Sequence, residues 1–118
     1  MKRNILGRTG IEVTELCFGI LPIGPLQANV ERSQAIQVMR ACMEAGINFF
    51  DTADTYGLGE SEKTLGEALG KKRKQAIVAT KFGVRVENGI TSYYNSKNWV
   101  NKAVNNSLKR LNTDYIDL

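Results

Sequence analysis

Four short apolar runs, each separated from the next by a helix-like stretch, constrain this 118-residue chain more than any other feature. Residues 16–20, 47–50, 76–80 and 115–118 are each short enough to be buried strands. Between the first two, Ala35, Ile36, Met39, Cys42 and Met43 recur at three- and four-residue steps, marking a helix over 31–45 that Gly46 stops. Ser61 is the expected cap of a second helix reaching Leu69, with Leu65, Ala68 and Leu69 on its apolar face. Glu60 and Glu62 suit its positive end, and Gly70 ends it. Ser96 caps a third helix over 97–111, whose stripe of Val100, Ala103, Val104, Ser107, Leu108 and Leu111 is expected to be buried. Strands alternating with helices predict an α/β fold, a parallel sheet with right-handed crossovers.

The remaining segments fit around that alternation. Two β-prone pieces within 4–13 flank a turn containing Gly7 and Gly10, which predicts an N-terminal β-hairpin. Pro22, Gly24 and Pro25 break regular structure, and a loop runs to about Asn29. Residues 82–95 form the least regular part, with Glu87-Asn88-Gly89 as a turn. The length suits a single domain over 1–118. Two architectures fit: a small open α/β sheet, or part of a (β/α)8 barrel of the TIM type.

Charge and composition narrow the function classes. The net charge of +4 draws on one run, Lys71-Lys72-Arg73-Lys74, which follows the helix ending at Gly70, where cations suit the free carbonyls. No aromatic residues interleave with it, so it reads as a solvated surface run and nucleic acid is not an expected partner. No apolar run approaches the roughly 20 residues that span a bilayer, and the start of the chain does not resemble a signal peptide. No membrane partner and a cytoplasmic location are therefore expected. Cys17 and Cys42 lie 25 positions apart and histidine is absent, so no metal site is expected and both thiols are expected to be buried.

The chemistry gathers at strand ends. Asp51, Tyr56 and Lys81 each lie at or just beyond the C-terminal end of a predicted strand, the face on which α/β barrels carry their active sites. The strands bearing Asp51 and Lys81 are consecutive, hence neighbours about 4.8 Å apart. A free phenol has a pKa near 10, and a cation within a few ångströms favours its ionised form. Tyr56 then reads as a general acid, Lys81 as the cation that tunes it and Asp51 as the anchor of that cation. Taken separately the residues have plainer roles, an ion pair holding strand ends and a packed loop aromatic. Asp51 with Asp54 lacks the acid on another strand end that glycoside hydrolysis needs. Neither a G-x-G-x-x-G nor a G-x-x-x-x-G-K-[ST] phosphate loop occurs.

Several runs together resemble the aldo-keto reductase family. They are Gly46-Ile47-Asn48-Phe49-Phe50-Asp51-Thr52-Ala53-Asp54-Thr55-Tyr56-Gly57, its continuation over 59–69, and Ala79-Thr80-Lys81-Phe82-Gly83. Leu6-Gly7-Arg8-Thr9-Gly10, Ser107-Leu108-Lys109-Arg110-Leu111 and Thr113-Asp114-Tyr115-Ile116-Asp117-Leu118 complete the match in the family's order. The resemblance implies an eight-stranded β/α barrel closed at its base by an N-terminal hairpin, of which this chain supplies the hairpin and about four parallel β/α units. It implies NADP(H) as cofactor and aldehydes or ketones as substrates, with hydride passing from the nicotinamide while Tyr56 protonates the carbonyl oxygen. Asp51, Tyr56 and Lys81 match three members of the family's catalytic tetrad. Gly19, Ile20 and Asp51 are the expected cofactor-side residues. The stretch 21–29 also looks like a bacterial and archaeal branch whose longer members carry an iron–sulfur domain.

The fourth tetrad member, a histidine soon after the fourth strand, has no counterpart here, and the family's four further strands and most of its cofactor site are likewise unmatched. The site is therefore expected to be incomplete in these 118 residues, whether they are a fragment or half of a split enzyme. Unpaired strand edges and an uncovered inner face predict a homo-oligomer. The alternative is a non-catalytic subunit serving in assembly or regulation, as in the family's channel-associated branch.

Overall fold

The computed structural model describes residues 1–20 and 30–118, so the expected loop over 21–29 lies outside the described residues. Strands β1 (Arg3–Ile5) and β2 (Glu12–Thr14) pair antiparallel as the N-terminal hairpin. Strands β3 (Cys17–Gly19), β4 (Phe49–Asp51) and β5 (Ile77–Ala79) form a parallel sheet in sequence order. Between them run α1 (Arg32–Glu44) and α2 (Glu60–Leu69). A second antiparallel hairpin follows, β6 (Val84–Glu87) with β7 (Ile90–Tyr93), and then α3 (Lys97–Leu111).

Register explains why strands of three residues suffice. Phe18, Phe50 and Val78 share one row of the sheet, while Gly19, Asp51 and Ala79 share the next. Because side chains alternate between faces, the first row turns toward the helices and the second away from them. Phe50 and Val78 are fully buried with Met39, Leu65, Leu69 and Leu111, and Phe18 meets Phe50 edge to face at 6.2 Å. Fully burying such a side chain is worth about 1.5–3 kcal/mol.

A buried amide ties the hairpin to the base of the sheet. Asn48 Oδ1 accepts from Thr14 N at 2.7 Å, and its Nδ2 donates to Glu12 O at 2.9 Å. Both partners would be left without a bond if the amide were replaced by an alkyl group.

The terminal segment lies beside β5 without completing a fourth strand. Leu118 N donates to Val78 O, and Thr80 N donates to Leu118 O, as in a ladder. Val78 N, however, donates to the Asp117 carboxylate at 2.9 Å. The same carboxylate pairs with Arg73 at 2.8 Å, and Arg73 stacks over the Tyr115 ring at 4.1 Å. Arg73 is thus buried, unlike the solvated residue expected, whereas Lys71, Lys72 and Lys74 are exposed.

Four further expectations are corrected. Ser61 does not cap α2: the N-cap is Gly59 at φ 92°, and Ser61 is buried inside the first turn. Gly57, Leu58 and Gly59 all take positive φ, and this turn delivers the chain into the helix without a side-chain cap. Residues 84–93 are a regular hairpin, because Asn88 and Gly89 (φ 52° and 77°) form the left-handed pair that matches strand twist. Cys17 is exposed and Cys42 only half-buried, since Cys17 belongs to the face that points away from the helices. Val104 is also exposed, lining an apolar cavity of about 160 Å³ with Phe82, Ile116 and Leu118. Ser96 does cap α3, its Oγ accepting from Trp99 N. Among the described residues no helix is long and apolar enough to cross a membrane.

Helices α2 and α3 meet at a glycine. A Cβ on Gly66 would lie 2.5 Å from the Leu111 carbonyl oxygen, and a backbone atom cannot swing aside. Gly66→Ala is therefore expected to destabilise the fold by about 1–3 kcal/mol in urea unfolding. Unchanged stability would mean that the helices do not approach as closely as this.

Candidate active site

Asp51 is the last residue of β4, and Lys81 lies two residues beyond β5. The chains continue side by side past the sheet: Thr52 N donates to Ala79 O at 2.9 Å, and Asp54 N to Lys81 O at 3.0 Å. This extension aligns the two side chains at one end of the parallel sheet. Tyr56 follows at the start of a tight turn, with its N–H donating to Ala53 O.

Lys81 Nζ is the hub. It donates to Asp51 Oδ2 at 2.6 Å and to the Thr52 carbonyl at 2.8 Å, and stands 5.2 Å from the centre of the Tyr56 ring. Burial works against its charged form, but the hydrogen bond and charge of Asp51, with Tyr56 adding to them, prevail. The ammonium consequently titrates above its ordinary value. The side chains of Asp51 and Lys81 are 34% and 50% exposed, so solvent weakens the pair and a reactant can reach it.

A cavity of about 170 Å³ opens beside the pair, lined by residues 53–55 with Tyr56, Lys81, Phe82 and Val84. It combines a phenol and an ammonium with apolar side chains, so a small molecule there would meet both hydrogen-bonding groups and apolar surface. Asp54 borders the same cavity. Burial, then the Glu62 carboxylate, push its pKa up against the pull of Arg110 and the Thr55 N–H.

Gly19 stands next to Asp51 in register and is exposed, with nothing within 4 Å of where a Cβ would sit. Ile20 donates its N–H to Asp51 O at 2.9 Å, while its side chain is fully buried in the core. Cys17, two residues before Gly19 on the same strand, feels the same groups: burial first and Asp51 second push its thiol up, and Lys81 pulls it down.

The family follows from the whole arrangement together with the sequence. Residues 15–118 match the model of the aldo/keto reductase family. The chain belongs to that family. An oxidoreductase of Bacillus subtilis, YqkF, is 37% identical over 120 residues, covering 100% of this chain and 38% of the relative. L-galactose dehydrogenase of Arabidopsis thaliana is 40% identical over 116 residues, covering 96% of this chain and 35% of that enzyme. The holo form of aldo-keto reductase AKR11C1 from Bacillus halodurans superposes with a TM-score of 0.85 at 40% identity, over 98% of this chain and 38% of that one. The chain thus spans little more than a third of the length of these relatives.

Within the aldo/keto reductase fold, the chain supplies the hairpin and the N-terminal β/α portion of a (β/α)8 barrel. Sequence reasoning missed Thr52, whose carbonyl accepts from Lys81 Nζ, and the bond from the neighbouring Thr80 hydroxyl to Glu62. Backbone acceptors leave no signal in side-chain identity.

The Lys81 titration offers a direct check. A folded-state pKa above the unfolded value of about 10.4 stabilises the fold below that value. The contribution is lost as pH rises through the folded-state pKa. Asp51→Asn is expected to lower the Lys81 midpoint in ¹³Cε NMR and to remove this alkaline stability change. An unchanged midpoint would show that Asp51 does not hold the ammonium.

Proposed function

We propose that this chain carries the proton-donating part of a carbonyl-reducing site, in which aldehydes or ketones are reduced with NADP(H). The observation that carries the reading is the placement of Lys81 Nζ between the Asp51 carboxylate and the Tyr56 ring. Tyr56 is the group that gives its proton to the carbonyl oxygen, and Lys81 is the cation beside it. Asp51 keeps that cation charged and aimed.

The described residues fit a nicotinamide riboside. Gly19 leaves a bare backbone shelf next to Asp51, and Asp51 Oδ1 is not used by Lys81. Gly19, the Ile20 backbone and Asp51 are the residues that would hold the cofactor, which supplies the hydride when bound. The apolar side chains of Phe82 and Val84 would exclude water from one side of the reacting carbonyl.

A chimera tests this assignment. Residues 1–118 replace the matching part of the Bacillus halodurans reductase, and NADPH oxidation is followed with a panel of aldehydes. Tyr56→Phe is expected to lower turnover about 10²–10⁴-fold, while the 118-residue chain alone is expected to be nearly inactive. A folded chimera indifferent to Tyr56→Phe would remove Tyr56 as proton donor.

A second reading, a non-catalytic role in assembly, is favoured by a different observation. Among the described residues β3 has a partner on only one side, and Leu16 and Cys17 are exposed beside it. We propose that a second copy of the chain covers this edge and the adjoining inner face in a homo-oligomer. Light scattering at micromolar concentration is expected to give at least twice the 13.1 kDa chain mass. A stable monomer would exclude the assembly.

A further inference from the structure

Glu62, in the first turn of α2, is fully buried. Its two oxygens point to different elements. One accepts from Thr80 Oγ1 at 2.6 Å, and the other from Arg110 Nε on α3 at 2.5 Å. Arg110 is itself held by Ser107 Oγ at 3.2 Å. Gly59 makes room for it, since a Cβ there would lie 2.6 Å from Arg110 Cδ.

Stability alone is a poor reason for this arrangement. Burying a carboxylate costs several kcal/mol even when a cation faces it, and apolar residues of the same volume serve as well or better. What distinguishes the network is what it grips. Thr80 is the residue between the end of β5 and Lys81. Its N–H is taken by Leu118 O, and the Lys81 carbonyl by Asp54 N. With the backbone held on both sides and the Thr80 hydroxyl drawn to the helices, alternation sends the next side chain to the opposite face. Asp51 and Tyr56 stand on that face.

We propose that Glu62 is a positioning residue for Lys81, acting through the Thr80 hydroxyl, with Arg110 supplying the countercharge from α3. The inference rests on the reading of Lys81 as part of the site. It adds that α2 and α3, remote from the carbonyl, set the direction in which the ammonium points. Glu62 also lies close enough to Asp54, on the loop that carries Tyr56, for its charge to push that carboxyl's pKa up, after burial.

The test reads Lys81 without turnover, so it stands or falls separately from the Tyr56 assay. In ¹³C-lysine-labelled chain, the Lys81 Cε signal is assigned by its loss in Lys81→Met. Thr80→Val and Thr80→Ala keep the Glu62 charge but lose the hydroxyl. Each is expected to lower the Lys81 midpoint by about half a pH unit or more and to move its Cε shift, while Thr80→Ser restores both. A dispersed amide spectrum confirms folding of each variant. If either folded variant leaves the Lys81 midpoint and shift as in the parent while only its unfolding temperature falls, Glu62 serves stability alone. Failure of Thr80→Ser to restore them would equally overturn the proposal.

Discussion

The parallel register that sets Gly19, Asp51 and Ala79 in one row and Phe18, Phe50 and Val78 in the next places opposite demands on the two faces of the sheet. On the helix side, the rows demand volume, and Phe50, Val78, Met39 and Leu65 supply it with no exposure. On the other side the same register leaves Asp51 partly exposed beside a glycine and an alanine. A one-residue slip of β4 would exchange the two roles, sending Asp51 into the core and Phe50 into the site. The apolar core and the ion pair are thus consequences of one alignment.

Polar groups take over where the strands are too short for ladders to hold the ends. Asn48 joins the hairpin to the base of the sheet. Asp117 supplies a side-chain acceptor to Val78 and a charge to Arg73. Glu62 binds Thr80 at the other end of β5. The Arg73–Asp117 side chains are only 9% and 15% exposed, so removing one partner leaves a charge without compensation, a loss of about 3–5 kcal/mol. The exposed pairs of Arg32 with Glu60 and Glu67 contribute far less.

Much of the scaffold was legible because periodicity reports burial. The recurrence of Ala35, Ile36 and Met39, and the stripe of Ala103, Ser107 and Leu111, mark faces that the structure buries. Asp51 and Lys81 were legible for a related reason, as charged residues directly after apolar runs have nowhere to go but strand ends. The failures share a cause as well. Ser61 has the chemistry of a cap, but the left-handed turn at residues 57–59 starts the helix two residues earlier. Cys17 and Arg73 were judged by residue type and by run, whereas exposure depends on which face a single position takes. Glu62 reads as a first-turn acid, and only tertiary packing shows that Thr80 and Arg110 converge on it.

Exposure also governs how strongly the site can act. Two unit charges about 4 Å apart interact by roughly 1 kcal/mol in water and about 4 kcal/mol at the effective dielectric of a protein surface. With Lys81 half exposed, the Asp51–Lys81 pair lies toward the weaker limit. Covering the inner face would move it toward the stronger one without altering a single contact of Lys81 Nζ. Such a cover would therefore bear on more than stability, because it would change the field that the ammonium exerts at the Tyr56 hydroxyl. Geometry at this site is set from the helix side by Thr80 and Glu62, and electrostatic strength from the opposite side by whatever excludes water there.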